Sequence, residues 1–329
     1  MKLQILITGA DGFLGTNITL KSVERGFDVT AIQYPGTNSK TLNNLNIRKE
    51  FCDILDAEKL KELVKGHDVV IHTAANTDVW PARAKHIRDT NIIGTTNVIN
   101  ACTEGQINKL IHIGSGSAFS YGSIDNPGNE NSAFIGYKYK LDYIDSKYNA
   151  QNLVKSAMVA NKVSGSIICP TFMIGPYDSK PSSGQILIAL AQGKIPGYTS
   201  GGKNFVFVKD VADAALNAID MGRNGEEYIT GNVNLSYIEF FSIACRELNI
   251  RPPKFKMPKK IVLAYGFLNS IGAKVFNYYP SISYEMALVG CDNQYLSSEK
   301  ASVEIAMPKT PIEIAIREAY EWFQKENYL

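Results

Sequence analysis

Through the first half of the chain, short apolar runs alternate with segments whose apolar positions recur at helical spacing. Leu3–Ile7, Asp28–Ile32, Arg48–Cys52, Val69–His72 and Lys109–Ile113 read as strands, and Val163–Cys169 as a sixth. Between them the spacing predicts helices over Phe13–Arg25, Ala57–Val64, Ala82–Cys102 and Leu141–Ala160. Strand and helix repeated in this order imply right-handed crossovers and a parallel sheet covered on both faces. The expected class is α/β, a doubly wound parallel sheet whose ligand lies at the carboxyl ends of the strands.

The alternation stops after Pro170. Gly-, Pro- and Ser-rich stretches (Gly175–Gly184, Gly193–Lys203) lead to a strand over Asn204–Val208, a helix over Lys209–Met221 and a short strand at Glu227–Ile229. From Ser236 onward the pattern is mainly helical, with Thr310 and Pro311 expected as cap and first turn of the last helix. The expected division is a dinucleotide-binding domain over 1–169, to which 205–231 returns, and a smaller, mainly helical substrate lobe over 170–204 and 232–329.

At 329 residues and 45% hydrophobic content the chain can fill a sizeable core. A net charge of +2, with no basic stripe, argues against nucleic acid as a partner. Five scattered cysteines among apolar neighbours fit buried reduced thiols, and the four histidines show no metal-ligand spacing. The first strand begins at Leu3, leaving no room for a signal peptide, and the apolar run Ile261–Phe276 is too short and broken to span a bilayer. A cytoplasmic protein is expected.

Two local patterns carry chemistry. The run from Thr8 through Gly9, Gly12, Phe13 and Leu14 to Gly15 closes the first strand and opens the first helix, the context in which a glycine turn holds a dinucleotide. Gly9 allows the tight turn, Gly12 lets backbone approach a pyrophosphate, Gly15 lets the helix pack closely, and the amides near Phe13 and Leu14 face the phosphates. The plainer alternative is a glycine-rich turn with no ligand. Tyr143 and Lys147 stand at i and i+4 on one helix face. Chance pairs are easy in this tyrosine-rich segment, but of Tyr137, Tyr139, Tyr143 and Tyr148 only Tyr143 has a lysine four residues on. Beside a dinucleotide the pair is equipment for moving a proton, because a phenol titrating at about 10 needs its anion stabilised to work at neutral pH.

Cofactor choice turns on the end of the second strand, where a carboxylate favours NAD and an Arg favours NADP. Gln33 and Tyr34 stand there instead. With no acid to repel a phosphate and Lys40 nearby, the lean is to NADP over NAD.

Thr-Gly-x-x-Gly-Phe-Leu-Gly resembles the short-chain dehydrogenase/reductase superfamily, and within it the extended branch, the NAD-dependent epimerase/dehydratase family with its Rossmann fold. Asp53 and Ile54 resemble the family's acidic turn at the adenine, and His72, Thr73, Ala74 and Ala75 its small-residue turn at the middle of the cofactor. Asn91, Gly94 and Thr95 resemble the helix that follows, and Tyr320, Trp322 and Phe323 its aromatic tail. The resemblance implies a catalytic set of Ser117, Tyr143 and Lys147, with Ser115 the alternative serine. Lys147 would hydrogen-bond the nicotinamide ribose, and Ser117 would donate to the substrate carbonyl. It also implies cofactor contacts at Pro170 and Phe172, and a homodimer through the helices over Ala82–Cys102 and Leu141–Ala160.

Departures from the family's sugar-nucleotide pattern point to the substrate. Phe172 stands at the diphosphate-binding Asn, and Lys203 at an Arg. Lys is only a point-charge substitute for bidentate phosphate recognition. Phe119, Phe172 and Met173, together with Leu263, Tyr265 and Phe267 from the Ile261–Phe276 stretch, are candidates for a hydrophobic slot. The chain thus most resembles the dihydroflavonol-4-reductase-like subgroup, which implies reduction of an apolar or lipid-like ketone. Peripheral membrane contact through Lys259, Lys260 and Ile261 is a further expectation. The competing readings are a sugar epimerase or dehydratase, and a nonenzymatic NADP-binding regulator or scaffold.

Overall fold

Strands apolar at nearly every position must be covered on both faces, and Ile5, Leu6, Ile7, Val70 and Ile71 are fully buried. A computed structural model, which describes residues 2–37 and 39–329, shows the sheet that follows from this. Its parallel strands are β1 (Gln4–Thr8), β2 (Asp28–Gln33), β3 (Arg48–Phe51), β4 (Val69–His72), β5 (Lys109–Ile113), β6 (Gly165–Pro170) and an edge strand, Glu227–Thr230. The order is edge strand, β6, β5, β4, β1, β2, β3. After β3 the chain returns to the other side of β1 to form β4. That reversal opens a crevice at the carboxyl ends of β1 and β4, where a doubly wound sheet binds its ligand.

The covering helices include α1 (Phe13–Glu24), α2 (Ala57–Val64), α3 (Lys85–Arg88), α4 (Thr95–Glu104) and α5 (Asp142–Val159). The single helix expected over Ala82–Cys102 is instead α3 and α4 joined by a π-helical turn, Asp89–Gly94. The turn carries Asn91 inward. Its amide donates to the Asn76 carbonyl and the Ser146 hydroxyl, and its oxygen accepts from the Asn76 amide. These long-range bonds favour a local widening that apolar periodicity does not report.

Beyond β6, strand Phe172–Ile174 pairs in parallel with Gly202–Phe207, which also pairs with Val233–Ser236 and Asn293–Gln294. Phe255–Lys256 pairs with Gly197–Tyr198. These short strands interrupt the tail read as mainly helical. The last helix, Ile312–Lys325, starts after Pro311, which occupies the cap position without a side-chain bond. Thr310 is not its cap: its amide and hydroxyl each donate to the Asp210 carboxylate at 2.7 Å. All five cysteines are buried and free.

Candidate active site

The crevice between β1 and β4 has the shape of a dinucleotide cradle. Gly9 turns with φ +66°, and a Cβ there would lie 2.7 Å from the Ala74 Cα. A Cβ on Gly15 would lie 2.0 Å from the Gly9 carbonyl oxygen, so only glycine lets α1 sit this close to the turn. Gly12 caps α1 with no side chain, and no acid occupies the first turn, so the amides of Phe13 and Leu14 stay available to an anion. Thr73 ties the two strand ends together, its hydroxyl donating to the Thr8 carbonyl at 2.6 Å and to Gly9 at 3.1 Å. Ala74 and Ala75 are half-buried beside it. Gln33 is buried at the end of β2, whereas Tyr34 is exposed. Asp53 turns its own loop, accepting from the Leu55 amide at 2.9 Å, and Ile54 is buried. These backbone groups and small residues fit a dinucleotide.

Tyr143, Lys147 and Gln151 form one stripe along α5, at successive steps of four residues. Burial pushes the Tyr143 phenol above its ordinary range, and the nearby Ser115 hydroxyl opposes that shift. Ser115 caps a short 3₁₀ turn, Gly116–Ala118, by accepting from the Ser117 amide, and its hydroxyl lies 2.8 Å from that of Ser117. The two serines therefore form a hydroxyl pair, with Ser115 as the phenol's neighbour. Lys147 Nζ donates to the Ile113 carbonyl at 2.6 Å, and burial lowers its pKa to about 8. His72 and His112 lie behind it, both driven neutral by burial and by the Lys147 charge.

Gln151 was not singled out from the sequence. Its oxygen accepts from the Ser115 amide at 3.2 Å, and its nitrogen donates to Glu227 on the edge strand at 2.7 Å. Glu227 also accepts from Lys155 at 2.5 Å. The serine loop is thereby fastened to a strand 76 residues beyond Gln151. The i+8 spacing from Tyr143 was the available signal, but nothing local reveals the partner.

On the substrate side, Phe172 and Met173 are half-buried on their short strand just after Pro170. The Phe172 ring meets Phe205 edge-on at 5.5 Å. Lys203 lies with Nζ 5.1 Å over that ring and donates to Gln294 at 2.5 Å, while burial lowers its pKa to about 8. Phe119 is 4% exposed and belongs to a buried cluster with Ala118 and Leu296, so it backs the site as core. Tyr265 and Phe267, candidates for an apolar slot, stand apart from Phe172 and Met173 in the packing clusters. They are 57% and 53% exposed, because their helix packs inward through its smaller residues.

Residues 5–233 match the NAD dependent epimerase/dehydratase family. A Synechocystis sp. protein provisionally named dihydroflavonol 4-reductase is 25% identical over 98% of this chain and 95% of its own length. Sterol demethylase protein B of Methylococcus capsulatus is 23% identical over 98% of this chain and 99% of its own. Among solved structures, that titled gox2253 superposes with a TM-score of 0.87 at 26% identity, covering both chains fully. The Thermus thermophilus UDP-glucose 4-epimerase in complex with NAD shares the fold at TM-score 0.78 and 17% identity, over 98% of this chain and 99% of that one. The crevice, the cradle and the match over most of the chain agree: this protein belongs to the NAD-dependent epimerase/dehydratase family of extended short-chain dehydrogenases/reductases.

Proposed function

We propose that the protein is an NAD(P)H-dependent reductase of a ketone on an apolar or lipid-like molecule, with Tyr143 as proton donor. The observation that carries this reading is the Phe172–Lys203 pair. At the positions where the resemblance expects diphosphate ligands, an aromatic ring stands under a lysine whose ammonium is already bonded to Gln294. The two relatives, one provisionally named dihydroflavonol 4-reductase and the other sterol demethylase protein B, support a weakly polar substrate.

The dinucleotide supplies hydride to the carbonyl carbon when bound. Tyr143 gives its phenolic proton to the carbonyl oxygen, and Ser117, paired with Ser115, donates a hydrogen bond to the same oxygen. Lys147 holds positive charge beside the phenol and binds the nicotinamide ribose. Phe172 and Met173 contact the substrate, with Phe119 behind them. The glycine turn, Gln33, Tyr34, Asp53, Ile54, Thr73 to Ala75, Pro170 and Phe172 contact the cofactor. NADP is the proposed form, because uncharged Gln33 ends β2 and Lys40 opens the next turn. A homodimer through α4 and α5 belongs to the same reading; Leu153 on α5 and Ile93 in the turn before α4 are exposed.

The test is oxidation of NADPH and NADH against a panel of cyclic and long-chain ketones, with UDP- and dTDP-sugars assayed in parallel. Ketone-dependent oxidation, faster with NADPH, is expected. Sugar turnover without ketone reduction overturns the reading in favour of an epimerase or dehydratase. Tight cofactor binding without any turnover overturns it in favour of a nonenzymatic role.

A further inference from the structure

The helix Lys259–Phe276 has its large apolar residues on the wrong side for a core element. It packs on the helix Tyr284–Cys291 through a seam of small or modest residues, Val262, Gly266, Ser270 and Ala273. The approach is close: a Cβ on Gly266 would lie 2.9 Å from both the Ala287 Cβ and the Ser283 carbonyl oxygen. Outward it presents Ile261, Leu268, Val275 and Phe276, with Leu268 67% and Phe276 76% exposed. Phe255 and Tyr279, which flank the helix in the chain, are exposed as well. Isolated apolar residues on a surface are ordinary, but a contiguous aromatic and aliphatic face marks a contact.

Charge identifies the occupant. From Arg251 to Tyr284 the chain carries Arg251, Lys254, Lys256, Lys259, Lys260 and Lys274 and no Asp or Glu. The whole chain sums to +2, so the residues outside this stretch sum to −4. Among the described residues only Lys259 of the six has an ion-pair partner, Asp292 at 3.6 Å. Glu285, beside Phe267 and Lys274, is the first carboxylate after this stretch. A second copy packed symmetrically would bring the cationic segment against itself, whereas an anionic bilayer complements it. The helix has 18 residues, cations at both ends and aromatic neighbours, and no helix among the described residues is long and apolar enough to cross a membrane. That combination suits a helix lying in the interface plane.

We propose that the Lys259–Phe276 helix docks the protein on an anionic lipid bilayer, its apolar face entering the headgroup boundary. The helix it packs on contributes Met286, Leu288 and Val289 to the cluster that contains Ile144 and Tyr143. One helix thus separates the bilayer face from the candidate proton site. The docking does not depend on the substrate assigned above.

The test is flotation of the full-length protein with vesicles of phosphatidylcholine alone or mixed with phosphatidylglycerol, at low and high salt. Binding to the mixed vesicles, released by salt, is expected. The double variant Leu268→Asp/Phe276→Asp should lower partitioning by tenfold or more, on the order of the transfer energy of two large side chains. Lys256→Gln/Lys260→Gln should lower it by about fivefold for each charge removed. Circular dichroism and unchanged melting establish that both variants are folded. Absence of binding to anionic vesicles at low salt overturns the proposal, as does equal binding to both vesicle types. So does sedimentation showing a wild-type oligomer that Leu268→Asp/Phe276→Asp dissociates, which would assign the face to a second copy.

Discussion

Helix α5 and the Lys259–Phe276 helix are each 18 residues long, and they depart from ordinary polarity in opposite directions. Helix α5 buries Asp142, Ser146, Lys147 and Gln151, while the other exposes Ile261, Leu268, Val275 and Phe276. The buried polar side chains of α5 have partners, although one oxygen of Asp145, which accepts from Arg83 through the other, has none. Asp142 accepts from Arg83, Arg88 and the Ala84 amide, Ser146 from Asn91, and Gln151 links Ser115 to Glu227. A polar group can be kept buried only when such bonds offset its desolvation, so α5 is explained from within the molecule. The exposed apolar groups of the second helix find no such explanation inside the fold.

The strongest way to break this contrast is Tyr143→Phe. It removes the proposed proton donor from the α5 stripe and should lower kcat/KM by about a thousandfold while leaving cofactor affinity within about twofold. Stopped-flow turnover beside cofactor titration checks both halves. Next in size is pH. Lys147 keeps its proton below about 8 and loses it above, so kcat/KM for reduction should fall as pH rises through that value. A profile flat to pH 10 would separate Lys147 from the reaction.

Stability effects are smaller. Asp142→Ala leaves the Ala84 amide and the Arg88 guanidinium without their acceptor, while Arg83 keeps Asp145, and about 2 kcal/mol of unfolding free energy should be lost in a urea titration. Lys147→Met should do the reverse, raising stability by about 1–2 kcal/mol while turnover collapses. The pKa drop from 10.5 to about 8 reports a buried ammonium held at a cost. Leu268→Asp sharpens the other side of the comparison: on an exposed face it should shift unfolding by no more than about 0.5 kcal/mol. A large loss there would mean that the residue packs against the protein's own core.

Elements with a local cause were legible in advance. The strands β1, β2, β4 and β5 follow from dense apolar runs, and the spacing of Tyr143 and Lys147 follows from helical period alone. The π turn was not legible, because Asn91 is drawn inward by Asn76 and by Ser146, 55 residues away. The place of Thr310 before Pro311 suits a helix cap. Thr310 instead meets Asp210, 100 residues earlier in the chain. The serine loop shows both cases within a few residues. Its Ser-Gly-Ser pattern is visible in the chain, but Ser115 as the neighbour of the phenol depends on how that loop settles against α5.

Sequence alone determined the parallel sheet and the glycine turn, because apolar period and the steric freedom of glycine act over a few residues. It also determined that six cations and no carboxylates lie between Arg251 and Tyr284. Only the tertiary structure decided which face of each helix is buried. The Gly266 seam lets two helices approach closely and thereby turns the large side chains of one of them outward. Partner bonds from distant strands hold α5 with its polar groups inside. Both outcomes depend on neighbours brought together by folding, which no local period encodes.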